Sequence, residues 1–192
     1  MMERVPPHPS PKVELEQYLT PSHIASSLVW TAFIQGNITG KRVADLGCGT
    51  GRLCAGISRL EGECVCVEVD RESLQTAVRF FRGEGLDAEF VEGDCTQFTG
   101  RFDTVIQNPP FGVKVRGVDL LFLRTALRIA RVVYSIHKSN PTTRELIRGE
   151  AQRQGFSVEV LGTEFPMRPY YPWHKSSLHR FLVDLYVFKK VA

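Results

Sequence analysis

Hydrophobic and polar positions along this chain fall into two alternating patterns. Short apolar runs rich in Val, Ile, Cys and Phe predict strands over 42–46, 64–69, 89–91, 102–107, 131–136, 156–161 and 181–188. Between them, apolar residues recur at helical spacing. Ile24, Ala25, Leu28, Val29 and Ala32 form one such stripe, and Leu74, Ala77, Val78 and Phe81 form another within a helix over 71–83. Further helices are expected over 53–60, 118–130 and 141–154, the last ended by Gly155. Thr20-Pro21-Ser22 reads as a helix start, with Thr20 as N-cap and Pro21 in the first helical position. Gly36-Asn37 stops that helix, and Asp70 caps the helix that begins at Arg71.

Strands alternating with helices imply a parallel sheet. The last two strands have no helix between them and are expected to pair antiparallel. The fold class is therefore α/β: a Rossmann-like seven-stranded sheet, mostly parallel with an antiparallel C-terminal strand. The proline-rich residues 1–12 are expected to be a flexible arm, ahead of one domain over 13–192.

Composition narrows the class without naming a function. The 192 residues are 43% hydrophobic and 23% charged, as in ordinary globular proteins, and the net charge of +3 permits a nucleic-acid partner without demanding one. No apolar run is long enough to span a bilayer and no secretory leader opens the chain, so a cytoplasmic location is expected. The cysteines are Cys48, Cys54, Cys64, Cys66 and Cys95, odd in number and without a Cys-x-x-Cys pair. Reduced, partly buried thiols are expected, rather than a zinc site or a disulfide framework.

The chemistry concentrates at strand ends. Asp103 to Gln107 reads as a buried strand that stops in Asn108-Pro109-Pro110-Phe111. Asn108 precedes a proline and is held extended, and the two prolines fix the next backbone angles and remove two N–H donors. The result is an acceptor-rich corner: the Asn108 side-chain oxygen, the Pro109 carbonyl, and an aromatic plate at Phe111. Such a corner suits a planar –NH2 group. Asp45-Leu46-Gly47-Cys48-Gly49-Thr50-Gly51 follows the first strand and opens a helix. Its Gly-x-Gly-x-Gly spacing differs from the Gly-x-Gly-x-x-Gly of pyrophosphate binders. Asp45 at its mouth disfavours phosphate and favours an ammonium group.

Glu68, with Val69 beside it, stands about 20 residues beyond the first glycine, where an acid accepts both ribose hydroxyls of an adenosine. Asp70 is the competing candidate. Gly93-Asp94-Cys95 ends the third strand, and Asp94 could accept from an adenine amino group. In an open α/β sheet the first and fourth strands neighbour each other at the topological switch point, so the glycine loop and the Asn108 corner meet at one crevice. Lys114 and Arg116 follow the corner, and His137 and Lys138 end the fifth strand. Arg168, His174, Lys175 and Arg180 lie among Tyr170, Tyr171 and Trp173. Basic residues mixed with aromatics can hold phosphates and stack bases.

Asp45 to Gly51 resembles the first motif of class I S-adenosylmethionine-dependent methyltransferases, and Asn108 to Phe111 resembles the fourth motif of their amino-methylating branch. Leu15 to Thr20, Asn108 to Gly112, Tyr134 to Ser139 and Val183-Asp184-Leu185 are similar to the methyltransferase-like protein five family. That family N6-methylates an adenosine in small-subunit ribosomal RNA. The resemblance implies a methyltransferase sheet and S-adenosyl-L-methionine as cofactor, bound by Gln17, Tyr18, Thr20, Asp45, Gly47, Cys48, Gly49, Gly51, Glu68, Val69, Asp94, Cys95 and Asn108. It implies catalysis by Asn108, Pro109, Pro110 and Phe111, with RNA held by Phe111, Lys114, Arg116, His137, Lys138 and Lys175. It also implies a small zinc-binding activator protein as a partner at the sheet edge, and no metal in the chain itself. Protein-glutamine N5 methylation and DNA adenine methylation are the alternatives. Glutamine methylation usually has Tyr where this chain has Phe111, and no DNA target-recognition domain is visible.

Overall fold

A computed structural model describes residues 1–167 and 181–192. The Arg168, Tyr170, Tyr171, Trp173, His174, Lys175 and Arg180 cluster lies outside the described residues. The strands are β1 (Arg42–Leu46), β2 (Glu63–Glu68), β3 (Glu89–Glu92), β4 (Phe102–Gln107), β5 (Ala130–Lys138), β6 (Phe156–Met167) and β7 (Phe181–Lys190). The helices are α1 (Ser22–Ile34), α2 (Arg52–Arg59), α3 (Arg71–Glu84), α4 (Val118–Ile129) and α5 (Pro141–Arg153).

The sheet order is β3-β2-β1-β4-β5-β7-β6. The first five strands pair in parallel, and β7 is antiparallel to both of its neighbours. The expected pairing of the last two strands is therefore present. The sequence did not place β7 between β5 and β6. That insertion gives β7 two partners, and it is the more deeply buried of the two strands, with Val183 to Phe188 all 4% exposed or less. β6 continues six residues past the expected end at Leu161. Two irregularities in its register with β7, one on each side of the Gly162–Leu185 pair, shift the register, the second at the left-handed Glu164, and pairing resumes at Phe165.

Alternation along the strands sends side chains to two cores. Val43, Cys64, Cys66, Ile106 and Ile136 pack under α1, α2 and α3. Ala44, Leu46, Val65, Val105 and Val133 pack under α4 and α5. The central strands β1, β2 and β4 are consequently buried on both faces, as a parallel sheet requires. β1 runs beside β4 with Val43 opposite Thr104 and Ala44 opposite Val105, which brings both C-terminal ends to the same edge of the crevice.

Two local expectations change. Pro21, not Thr20, precedes α1, and no side chain among the described residues caps that helix; the Thr20 hydroxyl is engaged with Asn108 instead. Asp70 does occupy the N-cap position of α3, but its carboxylate accepts from Ser73 Oγ, Gln17 Nε2 and Lys12 Nζ and caps no backbone N–H.

Residues 1–12 are packed, contrary to the expected flexible arm. Val5 is 2% exposed and belongs to the α1–α2 core. Thr50 Oγ1 donates to the Pro6 carbonyl at 2.6 Å, and Arg52 donates to the carbonyls of Val5 and Thr20. Proline supplies this segment with preset backbone angles, so little chain entropy is lost when it lies down. Deleting residues 1–12 is expected to lower the thermal midpoint by about 5 °C or more, from the loss of one buried aliphatic side chain alone. Scanning calorimetry of the truncated chain checks this, and an unchanged midpoint would restore the picture of a loose tether.

Candidate active site

The glycine loop owes its shape to backbone that only glycine adopts freely. Gly49 has φ 56°, and a Cβ there would lie 2.8 Å from the His8 ring; Gly51 has φ 92° and would meet Phe81 at 2.9 Å. The loop therefore wraps closely enough for its N–H groups to reach carboxylates. Gly49 N–H donates to Glu68 Oε2 at 2.8 Å, and Asp70 N–H donates to Glu68 Oε1 at 2.9 Å. Gly47 N–H is shared between the Val67 carbonyl at 2.9 Å and Cys95 Sγ at 3.1 Å.

Below the loop lies a cavity of about 330 Å³. Asp45, Gly47, Cys48, Gly49, Glu68, Val69, Asp94, Cys95, Asn108 and Pro110 line it, and residues 14–20 close it from the other side. Gln17, Tyr18 and Thr20 are on that closing segment, as expected for a stretch that covers a cofactor. Gly51 shapes the loop without lining the cavity, and Pro109 is a buried part of the corner.

Two acceptors in this cavity have no partner among the described residues. Asp45 is 1% exposed; its Oδ2 accepts from Cys54 N–H at 3.2 Å in the first turn of α2, while its Oδ1 is buried and unpaired. Asn108 donates from Nδ2 to Thr20 Oγ1 at 2.9 Å, and its Oδ1 is likewise buried and unpaired. Buried acceptors without donors are costly. Two of them in one cavity mark the places where a ligand's N–H groups belong.

The electrostatics follow from burial. Desolvation raises the Asp45 carboxyl to about 8, against the opposing bond from Cys54. Burial also raises Glu68, with the Asp70 and Gly49 N–H groups pulling the other way. Burial would raise Asp70 too, but hydrogen bonds from Lys12, Ser73 and Gln17 outweigh it and bring Asp70 to about 2. Asp70 is thus committed to the N-terminal segment, which leaves Glu68 as the acid facing the cavity. Cys48 and Cys95 are raised by burial and stay neutral thiols.

The remaining site residues divide. Asp94 is exposed, and its Oδ1 accepts from Thr96 N–H and Oγ1, both at 2.8 Å. Lys114 and Arg116 are exposed on the loop after the corner. His137 corrects the sequence reading. It is fully buried, its Nε2 lies 2.8 Å from Ser135 Oγ, and burial depresses it to about 3 despite Asp184, so it is a neutral core residue out of reach of phosphate. Phe111 is 7% exposed, with its ring tilted on Tyr18 at 5.5 Å, so it stacks on a base only once Tyr18 moves away.

Glu16 is not among the expected site residues, although its segment is. This 9% exposed residue sits in a left-handed turn and accepts from Phe111 N–H at 2.7 Å and Lys114 N–H at 2.8 Å. It ties the N-terminal segment to the corner across 95 residues of chain.

Residues 23–130 match the family model described as the methyltransferase small domain. The chain belongs to that family. This methyltransferase is 36% identical to an rRNA N(6)-adenosine-methyltransferase of Danio rerio over 95% of its own length and 92% of the relative's. It is also 36% identical to the Drosophila melanogaster protein of the same description, over 93% and 88%. Among solved structures it is similar to a candidate RNA methyltransferase from Pyrococcus horikoshii, with a TM-score of 0.90 and 38% identity over 99% of this chain and 92% of that one.

The cavity of this methyltransferase fits S-adenosylmethionine on chemical grounds. The unpaired Asp45 oxygen suits its ammonium group, the Glu68 carboxylate its ribose hydroxyls, and the exposed Val69 side chain the adenine face. Glu68→Ala is expected to weaken cofactor binding by about 1.5–3 kcal/mol, the scale of hydrogen bonds to a charged group. Calorimetry on the folded variant measures it, and unchanged affinity would remove Glu68 from the site.

Proposed function

We propose that this chain transfers a methyl group from S-adenosylmethionine to N6 of an adenosine in small-subunit ribosomal RNA. The observation that carries the reading is the buried, unpaired Asn108 Oδ1 in the same cavity as the glycine loop, in a corner that the two prolines hold rigid. The descriptions of the relatives as rRNA adenosine-N6 methyltransferases support the choice of amine.

When bound, S-adenosylmethionine supplies an electrophilic methyl group on a good leaving group. The chain's own residues position the nucleophile. An adenine N6 lone pair is delocalised into its ring and attacks poorly. Asn108 Oδ1 and the Pro109 carbonyl accept from the two N6–H bonds, which favours a tetrahedral nitrogen and aims its lone pair. Preorganised acceptors of this kind and fixed orientation can supply most of the acceleration. A neutral Asn serves better than a carboxylate, because it forms no ion pair with the cationic cofactor. The base reaches the corner only when unpaired or flipped out. Lys114, Arg116, Lys138 and Lys175 are the phosphate-binding candidates in this reading. It extends to a small zinc-binding activator protein on one of the edge strands, β3 or β6, and to the cytoplasm as the compartment. No helix among the described residues is long and apolar enough to cross a membrane.

The test is cofactor-dependent tritium transfer to separated RNA, DNA and protein, followed by nucleoside mass spectrometry of the digested RNA. N6-methyladenosine in small-subunit RNA is expected. Label in protein glutamine with RNA unlabelled would overturn the reading.

A further inference from the structure

Three cysteines that the sequence scatters meet in the core. Cys64 and Cys66 are two apart on β2 and face the same side of the sheet. Cys54 lies in the first turn of α2, directly over them. The three sulfurs lie within 4.8 Å of one another, and Cys54 Sγ contacts both partners. The expectation of reduced, partly buried thiols did not place them together. The Cys54 Cα is 5.9 Å from that of Cys64 and 6.4 Å from that of Cys66. Both separations fall in the range of about 4.4–6.8 Å that a disulfide spans.

The surroundings discriminate between a metal and a disulfide. Ile38, Leu53, Ile57, Leu74 and Phe81 belong to the same core cluster, and among the described residues no imidazole or carboxylate joins the three sulfurs. Three thiolates around a mono- or divalent cation leave net negative charge in an apolar core, which is strongly disfavoured. A disulfide with one remaining thiol is neutral. Cys64 is 3% exposed and also borders a surface recess with Arg42, Ser58 and Glu61, which gives a small reagent an approach.

We propose that Cys54 is the shared sulfur of an oxidation site, forming one disulfide with either Cys64 or Cys66 and leaving the third cysteine as a thiol. With a low-molecular-weight disulfide RSSR as oxidant, the Cys64 thiolate attacks one sulfur and releases RSH. The Cys54 thiolate then attacks the Cys64 sulfur of the mixed disulfide and releases the second RSH. The protein loses two electrons and two protons, and RSSR gains them. Attack of the Cys66 thiolate on Cys54 moves the bond to Cys54–Cys66 and returns Cys64 as a thiol, with no net redox change.

The full chain is incubated with oxidised glutathione or with dithiothreitol, then denatured, alkylated and digested with trypsin. All five cysteines are expected to be alkylated after dithiothreitol and three after oxidised glutathione, with peptides 53–59 and 60–71 joined. At equilibrium Cys64→Ala and Cys66→Ala should each keep the joined peptides, reached more slowly in Cys64→Ala because another thiol of the cluster must then meet the oxidant, and Cys54→Ala should lose them, with circular dichroism confirming the fold of each variant. Five alkylated cysteines in the oxidised wild type would overturn the proposal. A link surviving in just one of the two β2 variants would overturn the shared role of Cys54. One equivalent of copper or zinc in the purified chain, released with the appearance of three thiols, would replace the disulfide with a metal site.

Discussion

Asn108→Ala is expected to lower the rate of methyl transfer by about 10²-fold or more, the loss typical of one preorganised polar contact at a reacting centre. The variant should fold, because Asn108 supplies one hydrogen bond, from Nδ2 to Thr20 Oγ1, and a net contribution of about 0.5–1.5 kcal/mol is what such a bond usually makes. Thr20→Val breaks that tether and leaves the Asn108 oxygen in place. It separates two roles of one side chain: if Asn108 works through its free Oδ1, Thr20→Val retains most of the rate. Single-turnover transfer to ribosomal RNA measures both variants. Wild-type rate in Asn108→Ala would remove the corner from catalysis, and equal loss in both variants would show that Asn108 acts only by holding the N-terminal segment.

Asp45→Asn is expected to weaken S-adenosylmethionine binding by roughly 10- to 100-fold, the equivalent of losing about 1.5–3 kcal/mol of charged hydrogen bonding. The amide oxygen still accepts from Cys54 N–H, so the first turn of α2 keeps its partner. The wild type should also show a pH dependence whose sign follows from burial. Free Asp45 titrates near 8 and is largely protonated at neutral pH. A cofactor ammonium favours the carboxylate, so binding expels a proton from Asp45. Affinity therefore rises as pH increases towards about 8, by at most about tenfold per unit, and levels off above it. Calorimetry in buffers of different ionisation enthalpy reads the released proton directly. Asp45→Asn should release none. A wild type whose affinity is flat from pH 6 to 8 would show that Asp45 is already ionised or does not meet the ammonium.

The chemistry at β1 and β4 was legible in the sequence because it is local. Gly47, Gly49 and Gly51 mark a loop that needs left-handed backbone, and Pro109 and Pro110 mark where a strand must stop. Neighbouring residues settle both, whatever the rest of the chain does. Strand and helix spacing likewise placed most elements to within a residue or two, since each helix buries one stripe and the central strands bury nearly every residue. What remained hidden depended on residues far apart in sequence.

Proline content marked residues 1–12 as loose, yet Val5 finds a core that only α1 and α2 together create. His137 is a plausible phosphate ligand until β7 inserts beside β5 and closes over it. Cys54 and the Cys64–Cys66 pair share no motif, and only the packing of α2 on β2 brings their sulfurs together. Glu16 reaches the corner's N–H groups because the N-terminal segment folds back across the cavity. The sequence by itself determined which residue types stand at the strand ends. Tertiary structure alone decided which of them are sealed in the core and which acceptors, at Asp45 and Asn108, are left unpaired, because burial and pairing are properties of the assembled layers and not of any segment.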